Sequence, residues 1–536
     1  MRSKVLFFLL SVFSIGTMVF ADGAAETPLE IAGRYVGVLR HENLKRDQLV
    51  QMDILVSNEG DEDRHREDHF EFMAFLKLQF GDWTSSEYMT YHFDDIRLNL
   101  SDKSLPLAHP DQEVSVILKL TEPGVFRGMF RSNYGGNIGE VILRKEGTVP
   151  QKYPLMEPVA GEYEGVCPDG VQQRLQIVTF RNTDDTTKIG NPFSSYRIHA
   201  NWGVQKDPLC IDSAEYCLMG VFDKGTYNFF DNDLVLMGPR KTVKCQTTLD
   251  GLTCLKCNLK RIQKEPNLSV AQAKTIEQTF PNRPVIQSQD ISQVGGVYRG
   301  YVYHEYMGTY QRAELNIQTF FQPGEEKEGE VSMSAVAHLY FGEYAQREVI
   351  SYRFATRNFP IHQKPIRFSF QRPQADLDAV LHVEQIGDGF IRGTWYSLLF
   401  GRVGPFEMRK EGEVAIDPQL PIVKSLGGFY QGPLWDLNLL VELGQTPYNS
   451  DNPFHPLTFS GWAKIRNLGF RVSILDGSYD IYTGKLGFIL SDGSDILGLR
   501  DLDGAFKLKK VGHLFGTPLK KFDFEPYPLI SSEHPF

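Results

Sequence analysis

Between residues 33 and 145 apolar and polar side chains alternate in runs of about 5–10 residues, broken by glycine, proline or acidic turn signals. This rhythm predicts antiparallel strands joined by short connections, not strands alternating with crossover helices. Seven strands are expected at 33–41, 47–56, 70–80, 86–98, 113–121, 124–131 and 137–145, with room for an eighth. Roughly 110 residues in seven or eight strands suit a small closed barrel or a sandwich. Closure would bring the first strand beside the last and leave no open edge.

The same rhythm returns three more times. Gly-x-Tyr-x-Gly occurs at Gly33-Tyr35-Gly37, Gly161-Tyr163-Gly165, Gly296-Tyr298-Gly300 and Gly428-Tyr430-Gly432, with first glycines 128, 135 and 132 residues apart. Each is followed by an alternating apolar run, beginning at Leu49, Leu175, Leu315 and Leu437. Four copies at near-constant spacing indicate tandem units. Units one and three share more. Phe80-Gly81-Asp82-Trp83, Glu87 and Tyr91 align without gaps on Phe341-Gly342-Glu343-Tyr344, Glu348 and Tyr352. Both carry glycine-apolar-arginine strands (124–128, 389–393) and close on Arg-Lys-Glu-Gly (144–147, 409–412). Units two and four share Asn-Pro-Phe before Trp202 and Trp462, and Gly225-Thr-Tyr227 matches Gly477-Ser-Tyr479. The order is A-B-A′-B′.

A glycine–aromatic opening strand with an arginine near the last strand resembles lipocalin-like barrels over a few residues per unit. The resemblance implies a small antiparallel barrel. The expected fold is therefore all-β: four tandem antiparallel β-barrel or sandwich units, lipocalin-like, in a duplicated A-B pair. The flanking glycines would allow a bend and a close backbone approach, and the tyrosine would cap the barrel floor with its hydroxyl in solvent. The expected segments are a signal peptide (1–21), unit A (30–148), unit B (159–262), a linker with a short helix at 267–277 (263–294), unit A′ (295–412), unit B′ (426–513) and a C-terminal tail (514–536).

The N-terminus adds a destination. Arg2 and Lys4 precede an apolar stretch from Val5 to Phe20, and Val19 and Ala21 supply a compact cleavage site, the layout of an export signal. No later apolar stretch is long enough for a transmembrane helix. The localisation expected is periplasm, outer-membrane surface or outside the cell. All six cysteines lie between Cys167 and Cys257, an even number that reads as disulfides in an exported chain. The expected pairs are Cys210–Cys217, Cys245–Cys254 and Cys167–Cys257. Half a zinc site or a redox pair at Cys254–Cys257 is the alternative, but a redox motif wants a helix start, and these two sit in a strand-like run.

With 56 lysines and arginines against 67 acids, the net charge of −11 disfavours non-specific nucleic-acid binding, which needs clustered cations. The loop from Asn58 to His69 is the most charged segment, with Asp61, Asp63, Glu67 and Asp68 as hard oxygen donors. Its spacing does not match a calcium loop, and a solvated hairpin tip explains it. The recurring acids Asp82/Glu343 and Glu87/Glu348 suggest the acid and base of a glycosidase, against the simpler reading of turn and solvent-facing residues. Trp83, Tyr88, Tyr91, Tyr344 and Tyr352 could stack on sugars or peptides, or pack as cross-strand pairs. No nucleophile elbow, zinc-protease helix, phosphate loop or dinucleotide fingerprint occurs.

The function expected is that of an exported, non-catalytic multi-domain binding protein. Its extracytoplasmic ligand or protein partner is unknown, it uses no cofactor or metal, and Glu87, Glu348 and the five aromatics are its candidate binding residues. The alternatives are a large outer-membrane barrel, suggested by the aromatic content and terminal Phe536, and a secreted hydrolase using the paired carboxylates.

Overall fold

The structure is a computed structural model. It describes residues 28–522 apart from 58–70, 84, 86, 98–102, 110–113, 134–135, 182–195, 206–215, 223, 229–230, 239–240, 265–278, 281–290, 321–329, 345–347, 361–367, 372–378, 388, 398–400, 432–434, 444–456, 466–470, 480–483, 492–494, 501–505 and 511–516. The expected export signal, the charged loop 58–69 and the helix 267–277 lie outside the described residues.

Unit A is built from β1 (Gly33–His41), β2 (Arg46–Ser57), β3 (Glu71–Gln79), β4 (Tyr88–Arg97), β5 (Ser104–His109), β6 (Val114–Glu122), β7 (Val125–Ser132) and β8 (Gly136–Arg144). They form one antiparallel sheet in the order β4-β3-β2-β1-β8-β7-β6-β5. The first and last strands are neighbours, Val38 facing Ile142. The sheet curls until β4 and β5 lie side by side. The extra strand, β5, contains Pro106, whose missing N–H suits a sheet edge.

Unit A′ repeats this order in β18 (Gly296–His304), β19 (Thr309–Phe320), β20 (Glu330–Tyr340), β21 (Val349–Pro360), β22 (Phe368–Gln371), β23 (Val380–Gly387), β24 (Phe390–Ser397) and β25 (Gly401–Arg409). Unit B has nine strands: β9 (Gly161–Val166), β10 (Gln172–Arg181), β11 (Tyr196–Gln205), β12 (Tyr216–Phe222), β13 (Lys224–Asn228), β14 (Asp233–Met237), β15 (Thr242–Thr247), β16 (Gly251–Cys254) and β17 (Cys257–Lys264), with β9 paired to β17. Unit B′ is a closed barrel of β26 (Gly428–Gln431), β27 (Trp435–Leu443), β28 (Leu457–Ile465), β29 (Arg471–Tyr479), β30 (Lys485–Leu490), β31 (Asp495–Arg500), β32 (Phe506–Lys510) and β33 (Thr517–Phe522). Its closing strand comes from the stretch read as a C-terminal tail, so the barrel runs past the expected boundary at 513. Among the described residues strand pairing falls into four separate sheets.

The repeated motif has one physical explanation. In all four units the first glycine sits at positive φ, between 133° and 148° at Gly33, Gly161, Gly296 and Gly428, where a Cβ is strained. The tyrosine two residues later is buried and donates its hydroxyl hydrogen bond to the carbonyl four residues back. Tyr35 reaches Ile31 O at 2.7 Å, Tyr163 Val159 O at 2.6 Å, Tyr298 Val294 O at 2.6 Å and Tyr430 Leu426 O at 2.5 Å. The hydroxyl therefore does not reach solvent, as the sequence reading had it. It closes the loop that enters each barrel, since a buried O–H without a partner carries its full desolvation cost. At Gly37, Gly165 and Gly300 the second glycine has no room for a Cβ. In three units that space is filled by closing-strand backbone: Ile142 at Gly37, Asn258 at Gly165 and Glu407 at Gly300.

The closing strand adds a cation. Lys145 and Lys410, from the two Arg-Lys-Glu-Gly motifs, lie 5.9 Å and 5.3 Å from the Tyr35 and Tyr298 ring centres and bond Ala32 O and Gln293 O. In unit B, Arg261 does the same work over Tyr163, at 5.1 Å. The glycine-apolar-arginine motif supplies Arg127 and Arg392, paired with Glu140 and Glu407.

Candidate functional site

The recurring glutamates turn their carboxylates onto backbone N–H groups of the next unit. Glu87 is 2% exposed, and its carboxylate accepts the N–H groups of Val159, at 2.7 Å, and Ala160, with the Thr179 hydroxyl at 3.3 Å. Glu348 accepts the N–H groups of Leu426 and Gly427, the latter at 2.8 Å. In each case the acid comes from the hairpin after the third strand of an A unit. The amides belong to the two residues that precede the Gly-x-Tyr-x-Gly strand of the next B unit. Those same residues supply the carbonyl that receives the motif tyrosine, Val159 in one cassette and Leu426 in the other. One short turn is therefore held from both sides, by an A-unit carboxylate on its N–H groups and a B-unit phenol on its C=O.

The rest of the joint is also repeated. Phe80 packs on Tyr227 at 6.1 Å between ring centres, and the equivalent Phe341 packs on Tyr479 at 5.8 Å. Asp47 N–H donates to Pro154 O and Met156 N–H to Asp47 O. Likewise Tyr310 N–H donates to Pro421 O and Val423 N–H to Tyr310 O. The Asp47 carboxylate, buried, also accepts Lys152 N–H at 2.6 Å and Tyr153 N–H at 3.1 Å. The proline-containing joints are thus pinned strips along the A barrel. The A-B pair, not the single barrel, is the duplicated body.

The remaining candidates are dispersed. Asp82 and Glu343 sit on the turns before the buried glutamates, and Glu343 forms an exposed ion pair with Arg312. Tyr91 lies in the core of unit A against Phe130, and Tyr352 lies in that of A′ against Trp395 at 5.2 Å. Tyr88 is buried beside Tyr306 of A′, under the Lys77 ammonium. Tyr344 is half-buried and donates to Gly300 O. Trp83 keeps a surface, at 36% exposed. The structure does not gather these aromatics into one platform.

A contact that sequence reasoning missed joins A to A′. Leu55, Met73 and Phe75 on the outer face of A pack against Val380 and Tyr396 of A′, with Phe75 and Tyr396 stacked at 4.6 Å. Beside them Arg34 bridges Asp53, at 3.1 Å, and Glu305 of A′, which also holds Arg402 at 2.9 Å. The signal was Phe72-Met-Ala-Phe-Leu76, apolar on both faces of a strand and so buried on both. The matching face of A′ carries Gln318, Ser334 and Val336 at the registers of Leu55, Met73 and Phe75. At those registers the outer face of A′ therefore lacks the large apolar set that A carries.

Two buried histidines also recur. His41 bonds Gln48 at 3.1 Å and His304 bonds Gln311 at 2.7 Å. Burial lowers both imidazoles to about 4, so they are neutral near pH 7. Among the described residues no group of three His, Cys, Asp or Glu side chains could hold a metal ion, and no helix is long and apolar enough to cross a membrane.

The cysteines act as staples. Cys167–Cys257 ties the end of β9 to the start of β17, and Cys245–Cys254 ties β15 to β16. Both pairs are those the strand order implied. Cys254 and Cys257 stand opposite each other at a hairpin, each bonded elsewhere. The pair Cys210–Cys217 falls outside what the structure describes. No family model matches the chain, and no curated protein matches it.

Proposed function

We propose that this chain is an exported, non-catalytic binding protein that displays four small barrels as two rigid A-B cassettes. The observation that carries the reading is the enclosure of Glu87 and Glu348. The acids best placed by repetition for acid–base chemistry accept backbone N–H groups of the next unit, which fixes each carboxylate in place. The barrel interiors of A and A′ are filled by their own side chains, among them Tyr35, Tyr91, Phe126, Tyr298 and Trp395. That leaves rims and outer faces for partners. Disulfides within one barrel suit an oxidising compartment. Two linked cassettes favour multivalent capture, in which modest sites gain by effective concentration.

The test is a glycan and peptide array probed with the disulfide-intact protein, beside hydrolysis assays on the same substrates. Retention without turnover supports the proposal. Hydrolysis that disappears in Glu87→Gln/Glu348→Gln protein of unchanged circular dichroism would overturn it.

A further inference from the structure

One end of barrel B gathers cations. Lys241, Lys244 and Lys256 lie at or beside it, with Asp169 next to them, in a chain of net charge −11. Among the described residues, the up-and-down order brings to one rim the β9–β10 connection (167–171), the flanks Gly238 and Lys241 of the β14–β15 connection, and the β16–β17 turn (255–256). The opposite end carries Tyr227, which packs on Phe80 of unit A, and Arg261, which pairs with Glu157 of the joint. The rim therefore points away from the cassette joint.

Its side chains are amphipathic. Val166, Leu255 and Val171 are 61%, 50% and 39% exposed. Around them Lys241, Lys244 and Lys256 are exposed and form no ion pair among the described residues. Asp169 is a carboxylate on the same rim, turned onto the Val171 N–H at 3.0 Å. The apolar tip is also held in place. Leu255 and Lys256 take φ of 49° and 69°, the pair of left-handed residues that a two-residue hairpin turn requires and that Asn-Gly usually supplies. Cys254 and Cys257 flank them, each in a disulfide to a neighbouring strand. A leucine forced into a left-handed turn and kept in water has no folding rationale, which points to a use for it outside the barrel.

We propose that this disulfide-pinned rim docks on an anionic lipid surface, with Leu255, Val166 and Val171 entering the headgroup region and the lysines facing lipid phosphates. Mixed apolar and cationic chemistry favours a bilayer over a soluble polyanion, which would reward the lysines alone. The inference takes its compartment from the exported-binder reading.

The experiment is flotation of the full, disulfide-intact chain with vesicles of phosphatidylcholine alone or mixed with phosphatidylglycerol. Flotation with the anionic vesicles alone, weakened by salt, is expected. Lys244→Gln and Lys256→Gln should each weaken it about fivefold. Leu255→Asn should weaken it roughly tenfold while the turn folds at least as well, since asparagine tolerates positive φ. No anionic preference, or flotation unchanged in all three variants, would overturn the proposal. So would retention on dextran sulfate without vesicle binding, which would assign the rim to a polyanionic chain. Any of these failures leaves array binding through other rims untouched, so the two readings fail separately.

Discussion

Replacing Glu87 by alanine should weaken the first cassette and spare the second. The carboxylate accepts two backbone N–H bonds in a site that is 2% exposed. Hydrogen bonds to a charged group contribute about 1.5–3 kcal/mol each, and orphaned buried N–H groups cost a similar amount. Water entering the vacated space recovers part of this, so the expected loss is about 3–4 kcal/mol. Calorimetry should resolve the two cassettes, because a four-unit chain does not unfold as one two-state body. For a body of this size the loss lowers one transition by roughly 10 °C. Glu348→Ala should lower the other transition. Glu343→Ala is the control: its side chain is 67% exposed, and such surface ion pairs contribute about 0–1 kcal/mol. A Glu87→Ala shift no larger than that of Glu343→Ala, or equal shifts in both transitions, would refute the carboxylate clamp.

Tyr→Phe at positions 35, 163, 298 and 430 should each cost about 1–2 kcal/mol in the unit concerned, since each removes the same buried O–H to C=O bond, and urea unfolding of the four variants measures it. Stability should fall as pH drops from about 6.5 to 4. His41 and His304 are neutral when folded but bind protons when unfolded, so each contributes up to about 3 kcal/mol that is present above pH 6.5 and lost on acidification. Chemical denaturation across that range should show the slope, and His41→Leu/His304→Leu should flatten it. Removing Cys167–Cys257, which closes 90 residues, should cost about 4–5 kcal/mol, against about 2–3 kcal/mol for Cys245–Cys254, which closes 9. Thermal melts of the paired serine variants give the order.

Most of one barrel is legible in its sequence because alternation, turns and closure are local properties. The seven expected strands of unit A correspond to β1–β4 and β6–β8, and the missed β5 is the one that proline interrupts. The repeat was visible because Gly-x-Tyr-x-Gly needs a glycine at positive φ and another against the closing strand. The role of Glu87 was hidden by distance, since its partners lie 72 and 73 residues on, in another unit. Its one trace was an acid recurring at fixed offset, which invites catalysis and structure equally. The Phe75–Tyr396 stack crosses between units and left only the doubly apolar run at 72–76. The boundary at 513 fell short because β33, with Pro518 and three polar residues in six, lacks an alternating apolar pattern.

Amide hydrogen exchange at the two joints tests the duplicated cassette most directly. Val159, Ala160, Leu426 and Gly427 should be protected alike in the native protein. Glu87→Gln should expose the first pair alone, and Glu348→Gln the second. Rapid exchange at either joint in the unmodified chain, or a variant that releases neither pair, would contradict a cassette locked twice by the same device.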